Sequence, residues 1–234
     1  MTRKWLTFQI LADEGMLPPA QIYGIWLRAW HWVNALIIVV LSVTGYLIGT
    51  PLPAALGDTS SLYLMGWIRF VHLALGYLFA LLSIARLVMV AHEKRFSHLL
   101  FVPPFWRKSW IKGLIFQIRW NLLLEARAQR YMGLNPLANL SMIFMYLIPG
   151  ALLLLTGFAM YAEVAGHDSW QYALFGWVTL LWGNTLDLHV IHRLAMWVIV
   201  WFFVLHTYIT VRDDMLGRQT LVSSMIAGER LFRK

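Results

Sequence analysis

None of the 234 residues is a cysteine. That excludes a thiolate-held iron–sulfur cluster, a CxxCH haem attachment and any disulfide on this chain. Any haem it carries is therefore held non-covalently, as b-type. Charge is also scarce: charged residues make up 13% of the chain against 60% hydrophobic, and the mean hydropathy is +0.64. A soluble domain has a different balance. Within the hydrophobic stretches there are no paired carboxylates, no nucleophile–base set and no phosphate-cradling loop. The chain is thus expected to be no enzyme by itself.

What the sequence does have is length in its apolar runs. Four of them, at about 29–48, 68–91, 137–161 and 188–211, are long enough to cross a hydrocarbon core about 30 Å thick. An all-α membrane protein of one domain, 1–234, with four transmembrane helices in a bundle, is the expected fold. A fifth apolar piece, 170–183, is too short to span and suits the interface or a packed loop. The segment before the first run carries Pro18-Pro19 and scattered charges rather than a signal-peptide pattern, so the first run is expected to be a true span.

Basic residues gather on alternate connections. Lys94, Arg95, Arg107, Lys108, Lys112, Arg119, Arg127 and Arg130 lie between spans two and three. Arg3, Lys4 and Arg28 precede span one, and Arg212, Arg218, Arg230, Arg233 and Lys234 follow span four. The first and third connections have no Lys or Arg. By the positive-inside rule both termini and the middle loop face the cytoplasm. The net charge of +8 is a topology signal with some attraction to anionic lipid, and gives no case for nucleic acid. Within the middle loop, 105–124 reads as an amphipathic surface helix: Trp106, Trp110, Ile111, Leu114, Ile115 and Ile118 are apolar, while Arg107, Lys108, Lys112 and Arg119 are basic.

Histidine supplies the chemistry. His192 and His206 are 14 residues apart on span four, which in a helix is about 40° short of four turns and a rise of roughly 21 Å. Both imidazoles then point the same way, one near each edge of the membrane. His31 opens span one at the inner edge and His72 opens span two at the outer edge. The four form depth-matched pairs, His72 with His192 outside and His31 with His206 inside. Two imidazoles per level suit the axial ligation of two stacked b haems. His189 lies 17 residues from His206, about 100° off that face, so His192 is the preferred ligand. His92, His98 and His167 read as ordinary loop residues. A lone intramembrane histidine also serves as a hydrogen-bonded core residue or a proton or metal station, which leaves a haem-free carrier as the alternative of another class. A purely structural anchor is a third.

Arginine and glycine fit the same scheme. Arg28-Ala-Trp-His31 and Arg69-Phe-Val-His72 each put an Arg one turn toward the membrane surface from a His, where haem propionates need cationic partners. Arg193 is a third candidate, and Arg86 falls at the depth of the inner haem. Interfacial anchoring for Arg28 and Arg69, and snorkelling for Arg86, are the alternatives. Gly45 and Gly157 fall at the depth of the outer haem, where a flat macrocycle needs clearance; Gly76 is a weaker case. Plain helix–helix contact would also favour glycine there.

The motifs Arg28-Ala-Trp-His31-Trp32, Val43-Thr44-Gly45-Tyr46-Leu47-Ile48-Gly49 and Met65-Gly66-Trp67-Ile68-Arg69-Phe70-Val71-His72 belong together with a later set. That set is Asn135-Pro136-Leu137-Ala138, Thr156-Gly157-Phe158-Ala159-Met160-Tyr161, Asp187-Leu188-His189-Val190-Ile191-His192-Arg193-Leu194 and the tail from Arg212-Asp213-Asp214-Met215 to Ser223-Ser224-Met225. Across nearly its whole length the chain resembles the b-type cytochrome subunit of membrane-bound nickel–iron uptake hydrogenases, within the di-haem membrane cytochrome b superfamily. The histidine spacing is common to that superfamily; the tail and loop motifs point to hydrogenase. The resemblance implies that His31, His72, His192 and His206 are the haem ligands. It also implies an electron-transfer and anchor subunit in the bacterial inner membrane, with hydrogenase small and large subunits on the periplasmic face. Electrons from their iron–sulfur clusters would cross two haems to menaquinone or ubiquinone. The chain departs from relatives at Gly24-Ile25-Trp26-Leu27, Leu134 and Ile191, without losing a ligand. The same fold serving formate dehydrogenase or a sulfur-compound reductase is the nearest alternative.

Overall fold

In hydrocarbon, backbone N–H groups have only their own chain to bond to, so long apolar runs become helices. The computed structural model describes residues 20–21, 23–51, 63–92, 103–129, 131, 134–217 and 220–230. Among them four helices are long and apolar enough to cross a membrane, at Ile25–Gly49, Leu64–His92, Pro136–Ala165 and Thr185–Gly217. The elements in order are β1 (Ala20–Gln21), α1 (Ile25–Gly49), α2 (Leu64–His92), α3 (Lys108–Asn121), α4 (Pro136–Ser141), a wide π turn (Met142–Leu147), α5 (Ile148–Ala165), α6 (Trp170–Trp182), α7 (Thr185–Gly217), α8 (Leu221–Ala227) and β2 (Glu229–Arg230). Each span outruns its apolar stretch because helix propagation continues into polar flanks once the first turns are paid for. Large apolar side chains such as Leu36, Leu81, Ile84, Leu194 and Trp201 stand exposed along these helices, as they do where lipid is the solvent.

Local chemistry sets the ends. Asn135 accepts the Ala138 N–H at 2.7 Å ahead of Pro136, which starts α4. Pro149 withholds the N–H that would close the next α-turn, and the helix widens into the π turn just before it. Ser169 opens α6 and Gly183, at φ +81°, closes it. At 13 residues α6 is about 20 Å long, too short to cross. Asn184 receives the Asp187 N–H at 2.9 Å at the head of α7.

The described chain packs as two compact units, one from Trp30–Val88 and Pro149–Val200, the other from the described parts of Met1–Ala29, Met89–Ile148 and Trp201–Lys234. In the first, Ala159, Val178 and Leu188 of α5, α6 and α7 are fully buried, with Met160, Phe175 and Trp182 against them. Phe158 stacks on Phe175 at 4.9 Å between ring centroids.

The second unit combines buried aromatics, Trp110, Trp120, Tyr131 and Tyr146, with polar contacts. Asp213 accepts the Trp120 indole N–H at 2.7 Å, and Arg212 donates to the Trp120 carbonyl at 2.9 Å while lying over its ring. Arg212 and Asp213 are themselves paired and buried. Arg212, expected as a loop charge, is therefore a tie between α7 and α3. Burial pushes the Tyr131 phenol above its usual value, with a Gln117 hydrogen bond pulling the other way. β1 and β2 pair antiparallel, Ala20 opposite Arg230 and Gln21 opposite Glu229.

The surface helix is shorter than the expected 105–124. A turn after Pro103-Pro104 precedes it, and Leu123 at φ +62° follows it. Its apolar residues also divide: Trp110, Gly113, Gln117 and Trp120 face protein, whereas Ile111, Ile115 and Ile118 are exposed. Of the expected residues, Arg3, Lys4, Pro18-Pro19, Lys94, Arg95, His98, Arg130, Arg218, Arg233 and Lys234 lie outside the described ones.

Candidate functional site

Two histidines of the first unit meet. His72 on α2 and His192 on α7 have ring centroids 6.4 Å apart, with planes at 66°. Each is gripped by a threonine from another helix. The Thr44 hydroxyl on α1 lies 2.7 Å from the Val40 carbonyl and 2.9 Å from His72 Nδ1. The Thr156 hydroxyl on α5 lies 2.6 Å from the Leu152 carbonyl and 2.8 Å from His192 Nδ1.

A carbonyl can only accept, and a hydroxyl has one proton. Each threonine therefore donates to its own helix, four residues back, and accepts from the imidazole. Both rings are thereby assigned as Nδ1–H tautomers with the lone pair on Nε2, the form that binds a metal.

The separation can be tested against such a metal. A metal–imidazole bond is about 2 Å, and ring bonds of roughly 1.3–1.4 Å put each nitrogen about 1.1 Å from its ring centre. Two rings sharing one metal through Nε2 would thus have centroids about 6.3 Å apart, close to the 6.4 Å found. Among the described residues no three or more His, Cys, Asp or Glu gather to hold a bare ion. The donor set fits a metal whose remaining ligands come from a macrocycle.

Gly45 and Gly157 each follow one of these threonines. A Cβ on Gly45 would lie 3.1 Å from His72 Cε1, and one on Gly157 would lie 3.2 Å from His192 Cε1. They give room to the imidazoles directly. Gly76 has open space around it. The Thr-Gly pair was the signal that sequence reasoning passed over: it occurs once in α1 and once in α5, and only its glycine was singled out.

The remaining predicted residues are placed as follows. His189 is exposed and its Nδ1 bonds the Thr185 carbonyl at 2.8 Å, one turn back on its own helix. Arg69 is exposed in α2. Arg193 is exposed and its guanidinium lies along Gly49, 3.5 Å from where a Cβ would be. Arg86 sits 5.6 Å from the Trp30 ring centre, and Trp30 donates to the Leu82 carbonyl at 2.8 Å. Arg28 belongs to the second unit and donates to the Ile226 carbonyl. Gly228, at φ +87°, lies so close that a Cβ would be 3.3 Å from that guanidinium. Its contact in the structure is thus with the C-terminal segment. His31 is half-buried beside Trp32. His206, in the second unit, stacks on Phe202 at 5.4 Å and 21°.

Residues 22–228 match the family model described as prokaryotic cytochrome b561. The chain is 45% identical over 212 residues to the "Probable Ni/Fe-hydrogenase B-type cytochrome subunit" of Azotobacter vinelandii, covering 91% of this chain and 88% of the relative. To the protein of the same name from Rhizobium leguminosarum bv. viciae it is 43% identical over 212 residues, covering 91% and 89%. To the "Probable Ni/Fe-hydrogenase 1 B-type cytochrome subunit" of Escherichia coli K12 it is 39% identical over 210 residues, covering 87% of each.

Proposed function

The chain belongs to the prokaryotic cytochrome b561 family, and from that premise we propose that it is the b-type cytochrome subunit of a membrane-bound nickel–iron hydrogenase. The names of its relatives support the partner. The single observation that carries the electron-transfer role is the His72–His192 pair, with its free Nε2 lone pairs and iron-sized separation.

A b haem bound there supplies reversible one-electron storage at its iron. The residues do the rest. His72 and His192 would hold the iron, while Thr44 and Thr156 orient the rings. The buried Ala159–Val178–Leu188 cluster keeps water from the neighbouring helices. Arg69 and Arg193 would pair with the haem propionates. A second haem would be held by His31 and His206, a reading that rests on sequence register alone. Gly45 and Gly157 keep bulk away from the His72 and His192 imidazoles and would do the same for the macrocycle.

The chain anchors the hydrogenase on the periplasmic face of the inner membrane, with both of its own termini in the cytoplasm, following the distribution of Lys and Arg. With haem held at these histidines, the chain would carry electrons from the iron–sulfur clusters of the hydrogenase to menaquinone or ubiquinone. The test is purification of the tagged chain from native membranes. A b-type absorption spectrum, two haems per chain, co-purifying nickel–iron subunits and hydrogen-dependent quinone reduction are expected. A colourless preparation, or a formate dehydrogenase or sulfur-compound reductase in place of the hydrogenase, contradicts the proposal.

A further inference from the structure

The threonines carry more than support. Two unrelated helix pairs, α1 with α2 and α5 with α7, arrive at one device: a buried Thr with its proton on the i−4 carbonyl, its oxygen on an imidazole Nδ1, and a following Gly against Cε1. A lone back-bonding Thr is common filler in a membrane helix. The same three-part grip twice, on the two members of one pair, is not accounted for by helix packing.

We propose that Thr44 and Thr156 are positioning residues that set the tautomer, the plane and the donor strength of the two iron ligands. This rests on the assignment of His72 and His192 as ligands of one haem. The bond from Nδ1–H to oxygen makes each imidazole more basic at Nε2. Because each hydroxyl is already polarised by its own donation to a carbonyl, it is a stronger acceptor than a free one. A more basic ligand favours ferric over ferrous iron, so the pair lowers the midpoint potential of this haem. The grip also holds each ring in rotation, since Thr pulls one atom of a ring edge and Gly admits its neighbour. The 66° between planes is therefore a fixed property of the site, and twisted imidazoles give a strongly anisotropic low-spin ferric iron. The second haem of the proposed function serves as the internal reference.

The experiment compares the full-length chain, purified with both haems, as wild type, Thr44→Val, Thr156→Val, the double variant and the two Thr→Ser variants. Redox titration followed by visible absorption, and electron paramagnetic resonance of the oxidised protein, are the readouts. Each Val variant is expected to shift one haem to higher potential and the double variant to shift it further. The large-g signal of that haem should move toward the less anisotropic type, while the second haem stays put. Ser variants, which keep the hydroxyl, should retain wild-type values. Should a Val variant lose the haem, the proposal still requires the matching Ser variant to keep it at the wild-type potential. Unchanged potential and spectrum in haem-loaded Val variants, equal movement of both haems, or Ser variants that behave like Val overturn it. A wild-type protein without haem would instead refute the ligand assignment on which it rests.

Discussion

The surroundings of His72 and His192 differ in kind from those of Arg212 and Asp213. The first two imidazoles are each fixed by a hydrogen bond to a buried threonine from another helix, and each has a glycine against its Cε1. His206 is exposed and rests on an aromatic ring four residues back on its own helix. In the unit that contains His206, buried polar contacts join Trp120, Arg212 and Asp213. One unit is thus built tightly around its histidine pair, and the other has α3 attached to the end of α7. Ligand precision and structural tying are handled by different residues, so they can be broken separately.

The largest expected effect comes from filling the ligand grip. Gly157→Leu places a branched chain where even a Cβ would be 3.2 Å from His192 Cε1, and Thr156 prevents that ring from yielding. It should abolish the haem of this pair while leaving the other, as read by haem content per chain; retention of both would show that the ring is free to move. Next is Asp213→Ala, which strands buried Arg212 and the Trp120 N–H. Losing one member of a buried pair costs about 3 kcal/mol, so the thermal midpoint in detergent should fall while the spectrum of the His72–His192 haem in surviving protein stays unchanged. A spectral change there would erase the distinction between the two regions. The smallest effect is that of His189→Ala. Its ring is exposed and bonded to its own helix, so haem content should stay at wild type; loss of one haem would exchange its role with that of His192.

Much of this architecture was legible because lipid imposes few solutions: four apolar runs of sufficient length could hardly be other than helices. The meeting of His72 and His192 was legible from register, since depth along a straight helix follows directly from residue count. What escaped was chemistry that depends on neighbours in space. Thr44 and Thr156 look like any small polar residues in an apolar helix until the imidazole opposite them is known. Arg212 looked like a loop charge and Arg28 like a propionate partner or interfacial anchor, because a sequence shows no ring of Trp120 or carbonyl of Ile226 for them to meet. The π turn before Pro149 was equally hidden: proline announces a missing N–H, and packing decides whether the helix kinks, breaks or widens. The surface helix was read with one apolar face, because composition does not say which apolar residues face protein.

The central claim is that His72 and His192 serve one iron, and haem stoichiometry in a double-substitution cycle tests it most directly. Purified His72→Ala, His192→Ala and the combined variant should each retain one haem per chain, the double variant losing no more than either single one. Two haems in either single variant, or a further loss in the double, would mean that the two imidazoles do not share an iron.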